Sequence, residues 1–137
     1  MKSTPKFKPG EKEKTAADQS TDSNLYALKG RIWIDANNDT FFSFGRAVLL
    51  ERIKEYGSIS KAAKSMGMSY KHAWDLIDSM NKHSKYPIVE KTAGGKKGGG
   101  TRLTIYGEEL LNIFWNIQNN FKKFLELQKE LIDKINK

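Results

Sequence analysis

Residues 57–102 read GSISKAAKSMGMSYKHAWDLIDSMNKHSKYPIVEKTAGGKKGGGTR. Ser58 is placed to cap a helix, and small or apolar residues follow at Ile59, Ala62, Ala63 and Met66. Gly67 stops that helix, and Ser69 opens a second one from about Tyr70 to Lys82. Only Gly67-Met68 separates the two. So tight a junction makes two short helices cross at a large angle, the arrangement of a helix-turn-helix. Ile59, Ala62, Ala63, Met66, Ala73, Ile77 and Met80 are expected to form the shared core, with the alanines allowing close approach. Further on, IVEKT (88–92) and RLT (102–104) read as two strands. The AGGKKGGG between them makes the pair a hairpin wing with two lysines at its tip.

The same stretch carries most of the charge. From residue 58 to 102 there are nine Lys/Arg against three Asp/Glu, six of the net +8 of the whole chain. Residues 1–24 and 25–57 each contribute +1, and 103–137 are balanced. A cationic surplus concentrated on a helix-turn-helix and its wing is the electrostatic footprint of a duplex DNA binder.

Outward from this centre, the chain of 137 residues suits one domain with a tail. Residues 1–24 are polar, with two prolines and an isolated Phe7, and are expected to be a disordered tail. GRIWIDA (30–36) alternates, with Ile32, Ile34 and Ala36 on one face and Arg31, Trp33 and Asp35 on the other, which predicts a strand. Asn37-Asn38-Asp39 is a turn, and residues 40–42 return beside the first strand. Ser43 caps a helix to about Tyr56 with Val48, Leu49, Ile53 and Tyr56 at helical spacing, and Gly57 ends it. From about Tyr106 a helix is expected to run to the end. Leu110, Phe114, Ile117, Phe121, Phe124, Gln128, Leu131 and Ile135 step along it by alternating fours and threes. That is a heptad seam, and the seven apolar members are the candidate dimerisation residues. Its first half is expected to pack on its own domain and its distal half on a second copy, with Gln128 fixing register.

The fold expected is therefore mainly α with a small β component. A winged helix-turn-helix DNA-binding domain spans 25–105, and a long C-terminal dimerisation helix spans 106–137. No run of about 18 apolar residues and no apolar stretch after Met1 is present, so no membrane partner or secretory leader is expected. With no cysteine and a basic balance, a cytoplasmic protein is expected, with no thiolate metal site.

A helix entering a major groove needs groups that reach base edges or phosphates. The second helix offers Ser69, Tyr70, Lys71, Trp74 and Asp75. Tyr70 and Trp74 also suit half-buried packing. Ser58, Ser60 and Lys61 at the start of the first helix suit phosphate, and simple capping accounts for Ser58 equally well. In the wing, Lys96, Lys97 and Arg102 are phosphate candidates. The glycine loop is not a nucleotide cradle, because Gly100 stands where a P-loop requires lysine. His72 and His83 lack metal-ligand spacing, Asp75 and Asp78 read as a solvated face, and no nucleophile motif occurs, so no cofactor and no enzyme activity are expected.

These residues also carry a resemblance. Gly57-Ser58-Ile59-Ser60, Ser69-Tyr70-Lys71, Ala73-Trp74, Met80-Asn81, the glycine-lysine wing, and Leu103-Thr104 with Gly107 resemble the N-terminal DNA-binding domain of ModE-type molybdenum-dependent regulators, over about residues 29–125. The winged helix is also similar to that of LysR regulators. The resemblance implies a homodimer bound to a palindromic operator near molybdate-transport or molybdoenzyme genes. It implies that Tyr70 and Lys71 start the recognition helix and that Lys96 and Lys97 lie in the wing. Full-length members carry molybdate-binding domains, so the chain resembles the stand-alone members, with no effector readable. The alternative is a protein-interaction module that uses the winged helix as scaffold and the C-terminal helix to recruit a partner.

Overall fold

The computed structural model describes residues 25–93 and 100–136. The expected tail (1–24), the loop tip (94–99) with Lys96 and Lys97, and Lys137 lie outside the described residues.

The first element among the described residues is an antiparallel hairpin, β1 (Trp33–Ala36) and β2 (Asp39–Ser43). Asn37 and Asn38 both have positive φ, 52° and 67°, as a tight two-residue turn between twisted strands requires. Ile32, Ile34 and Ala36 are half-buried and Arg31, Trp33 and Asp35 exposed, as the alternation predicts. The strand is shorter than expected, starting at Trp33 rather than Gly30. Gly30 instead lies against the ring of Phe121, where an added Cβ would sit 2.8 Å from Cζ.

Ser43 then caps α1 (Phe44–Tyr56), its hydroxyl accepting from the Arg46 amide. Ala47, Val48, Leu49, Leu50 and Ile53 are buried. Tyr56, in the last turn, is exposed although it shares their helical spacing. Gly57 ends the helix in the left-handed region at φ 65°, with its amide bonded to the Ile53 carbonyl.

Next, α2 (Ile59–Ser65) and α3 (Tyr70–Lys82) pack around Ile59, Ala62, Ala63, Ala73, Ile77 and Met80, all buried, with Met66 half-buried beside them. The turn between them is closed by two backbone bonds, Gly67 N–H to Lys64 and Met68 N–H to Ala63, with Gly67 at φ 67°. This glycine-closed helix end satisfies two terminal carbonyls of α2 at once.

A second antiparallel pair follows, β3 (Val89–Lys91) and β4 (Thr101–Leu103). Thr104 caps α4 (Ile105–Leu127), accepting from the Gly107 amide at 2.9 Å. The core of the molecule lies between α1, α2, α3 and the first turns of α4. Phe42, Leu49, Leu50, Ile53, Ile77, Ile88, Leu111 and Phe114 are among its fully buried side chains.

Two expectations for the last helix are corrected. It is not continuous: the α-helical pattern is interrupted at Gln128, whose amide bonds to the Leu125 carbonyl three residues back, then α5 (Lys129–Asp133) and a short 3-10 turn follow. Gln128 donates from its side-chain amide to the Phe124 carbonyl at 3.3 Å. Phe114, placed among the dimerisation residues, is fully buried, with its ring centroid 5.4 Å from Phe42 and 5.8 Å from Trp115. The heptad phase at Phe114 points into the protomer's own core. Among the described residues no helix is long and apolar enough to cross a membrane.

Candidate nucleic-acid interface

Each helix of the α2–α3 pair starts on a serine whose hydroxyl is already used. Ser58 Oγ accepts from the Lys61 amide at 3.2 Å, and Ser69 Oγ accepts from the His72 amide at 3.0 Å. Both hydroxyls keep their own O–H, the group a phosphate oxygen accepts from. Ser60, Lys61 and Lys64 are exposed along α2.

On α3 the first turn faces solvent: Tyr70, Lys71 and His72 are all exposed. Tyr70 and Trp74 meet edge to face, with centroids 6.2 Å apart at 85°. Trp74 is half-buried and packed against the core, while the Tyr70 side chain is outermost. The T-shaped contact therefore anchors an exposed ring on a held one. Beside this pair, Lys71 Nζ lies 3.2 Å from Asp75 Oδ2, one helical turn on. The outward face of α3 is thus two i, i+4 pairs, one aromatic and one ionic.

The β3–β4 hairpin is fixed to this helix pair at two points. The Thr101 amide donates to the Gly57 carbonyl at 2.9 Å, which seats the start of β4 on the corner just before Ser58. Gly100 is packed so closely there that an added Cβ would collide with the Gly57 carbonyl oxygen. At the other end, Asn81 Oδ1 in the last turn of α3 accepts from the Ile88 amide at 2.9 Å. Thr92 closes the loop base, its hydroxyl accepting from the Gly100 amide and its own amide donating to the Gly100 carbonyl. Whatever the loop tip does, its two stems start from fixed positions beside the N-terminus of α2.

Arg102 points out of this hairpin and is paired directly across the strands with Glu90, Nε to Oε1 at 2.8 Å. The structure thus brings Ser58 and the stem of the β3–β4 hairpin together and gathers Tyr70, Lys71, Trp74 and Asp75 on one face of α3. Two features escaped the sequence reading: Glu90 as partner of Arg102, and Asn81 as the tether of the hairpin. Cross-strand spacing signals the first only once the hairpin register is known.

On the far side, one face of α4 and α5 is apolar and open. Ile117, Phe124, Leu131 and Ile135 are exposed as the heptad predicts, together with Ile113 and Leu127, which the seam did not include. Leu110 is half-buried on the core, and Phe121 is half-buried beside Gly30. Among the described residues, no three His, Asp or Glu side chains converge to hold a metal ion.

A capped helix pair with a left-handed glycine between its members, and a hairpin docked on it, is compatible with the winged-helix class of regulators. Comparison with known proteins narrows the class. The chain is 38% identical over 105 residues to the molybdenum transport protein ModE of Azotobacter vinelandii, covering 77% of this chain and 39% of that protein. It is 51% identical over 69 residues to the transcriptional regulator ModE of Haemophilus influenzae, covering 50% of this chain and 27% of the relative. It is 49% identical over 69 residues to the DNA-binding transcriptional dual regulator ModE of Escherichia coli K12, covering 50% and 26%. No protein-family model matches. Over its matched residues the chain is similar to ModE-type proteins. It spans about two fifths of the length of the first of these relatives and about a quarter of the other two.

Proposed function

We propose that this chain is a sequence-specific, DNA-binding transcriptional regulator built as a winged helix-turn-helix, active as a homodimer in the cytoplasm. The observation that carries the reading is the solvent-facing first turn of α3, where Tyr70 and Lys71 stand clear of the core beside a hairpin anchored at Gly57 and Asn81. In this reading α3 enters a major groove, Tyr70 and Lys71 meet base edges and phosphate, and Trp74 supports Tyr70. Ser58, Ser60 and Lys61 hold phosphate at the start of α2. Ser69 fixes the register of the recognition helix, and Arg102 and the loop lysines Lys96 and Lys97 neutralise backbone charge alongside. The exposed apolar face of α4 and α5 joins two copies, setting half-sites roughly 34 Å apart.

The names of the relatives support the regulatory role, and two of those quoted are named transcriptional regulators. The molybdenum in the name of the Azotobacter relative supports target genes linked to that metal. Selection of binding sites from a random duplex pool with the purified chain, with and without molybdate, tests the reading. It predicts enrichment of a two-fold symmetric sequence. A pool that shows no enrichment at physiological salt overturns it. A chain that binds no duplex yet captures a partner through the Phe124–Leu131 face favours the interaction-module reading instead.

A further inference from the structure

Two cations assigned to DNA in the described structure are each held by a neighbouring carboxylate, one on the same helix and one on the adjacent strand. Lys71 pairs with Asp75 one turn along α3, and Arg102 pairs with Glu90 directly across β3–β4. All four side chains are largely exposed, so each pair contributes little to the stability of the fold. Its effect on an approaching polyanion is larger. A paired lysine or arginine presents a dipole rather than a net charge, and a phosphate must compete with the carboxylate for it.

We infer that Asp75 and Glu90 are internal counter-ions that hold Lys71 and Arg102 back from sequence-independent phosphate binding. They thereby set how far the chain discriminates its operator from bulk DNA. The inference rests on the DNA-binding reading above. The chemistry separates the two sources of affinity. Binding to arbitrary duplex comes almost wholly from cations replacing condensed counterions, so every lysine or arginine already neutralised weakens it. Binding to an operator adds base-edge contacts that do not need those cations to be free. Asp75 acts in a second way because it stands on the outward face of α3. A carboxylate accepts hydrogen bonds but donates none, so it suits the amino group of cytosine or adenine and is repelled by the O6 and N7 acceptors of guanine. In a wrong sequence it becomes a desolvated charge facing acceptors, a penalty that falls on competitors alone.

The test uses the full chain with Asp75→Asn, Glu90→Gln and Glu126→Gln. All three substitutions are close to isosteric and raise the net charge by one. Glu126 is exposed near the far end of α4, about 30 Å of helix from its start, and controls for overall charge. Affinity for a random-sequence duplex and for the selected operator is measured across a salt series, with circular dichroism to confirm the fold. Asp75→Asn and Glu90→Gln are expected to bind random duplex about two- to fivefold more tightly than the Glu126→Gln control. Their salt slopes steepen by about one unit, and their operator-to-random ratio falls. In a Lys71→Ala background the gain from Asp75→Asn shrinks, because the cation it released is gone. Random-duplex affinities and slopes equal to those of Glu126→Gln overturn the inference while leaving operator binding by the parent chain intact. Failure of the parent chain to bind any duplex overturns the DNA reading itself, and this inference with it.

Discussion

Arg46 on α1 donates to the Ser79 hydroxyl on α3 across 3.0 Å, and the same Nη1 reaches the Thr40 carbonyl at 2.8 Å and the Phe41 carbonyl at 3.3 Å. One guanidinium therefore ties the first hairpin to the back of the proposed recognition helix. Partial burial lowers its pKa from the usual value through desolvation, yet a group that basic stays charged near neutral pH. Arg46→Ala removes all three bonds and leaves carbonyls short of a donor, so it is expected to cost about 1.5–3 kcal/mol. Arg46→Lys is expected to recover only part, since its more strongly hydrated ammonium ends one atom short of the Nη1 position from which all three bonds are made. Urea unfolding of the three proteins measures the difference. Equal midpoints for Arg46→Ala and the parent would show that this tether contributes nothing.

Gly107 lies so close beneath the Ile88 carbonyl that a Cβ would collide with its oxygen, and that carbonyl also accepts from the Thr104 amide at 2.9 Å. The obstacle is backbone, which cannot rotate away. Gly107→Ala is expected to lose about 1–3 kcal/mol as α4 is pushed off the hairpin. Gly45, in the first turns of α1, has nothing within 4 Å of its added Cβ and no left-handed backbone to strain. There Gly→Ala is expected to gain about 0.4–1 kcal/mol. Opposite signs in thermal denaturation check both claims in one experiment.

Tyr70 and Lys71 occupy adjacent positions, but they should fail differently in a DNA-binding assay. Lys71→Ala is expected to weaken binding to all duplexes similarly and to flatten the salt slope by about one unit. Tyr70→Ala is expected to leave the slope alone and to lose preference at one or two operator positions, a cost of about 1–3 kcal/mol there. Trp74→Leu, which removes the ring that Tyr70 meets edge to face, should reproduce the Tyr70 phenotype at reduced size. Retardation assays on operator and scrambled duplex at three salt concentrations separate the two outcomes.

The local punctuation of this chain was legible because it is made of residues with one dominant use. Ser43, Ser58 and Ser69 cap the helices they were expected to cap, and Gly57 and Gly67 adopt the left-handed conformations that end α1 and α2. The α2–α3 core followed from small and apolar residues at helical spacing. Other features depend on tertiary geometry that periodicity does not encode. Arg46 reads as an ordinary surface cation until the first hairpin folds over it. By sequence Thr104 belongs to the second strand of the hairpin, whereas its capping role depends on where the hairpin releases the chain. Lys71 and Asp75 are four apart, so their pairing was available from spacing, whereas Glu90 and Arg102 become neighbours only through a register set across a glycine loop. The seam over α4 was expected to pack its first half on its own domain, and Phe114 does lie in the core; its place among the dimerisation candidates arose because periodicity does not mark where that core ends.

That last ambiguity yields the decisive test of the assembly. Phe114 and Leu131 share the heptad seam, yet Phe114 is fully buried against Phe42 and Trp115, and Leu131 is exposed on α5. Residue burial within one protomer predicts opposite consequences for the two. Phe114→Ala empties a core position and is expected to cost about 3–5 kcal/mol of folding stability. Leu131→Asp, or Phe124→Asp one helix earlier, leaves the core untouched but puts a charge at the centre of the proposed two-fold apolar contact. In such a contact each copy supplies the same patch, so one substitution acts twice. The expected result is a folded protein that sediments as a monomer at micromolar concentration and binds a full operator no better than a half-site. The Trp115–Glu51 hydrogen bond, 3.0 Å between α4 and α1, should survive, so intrinsic fluorescence of the core serves as the folding control. If Leu131→Asp and Phe124→Asp sediment like the parent chain, the exposed face of α4 and α5 is not what joins two copies.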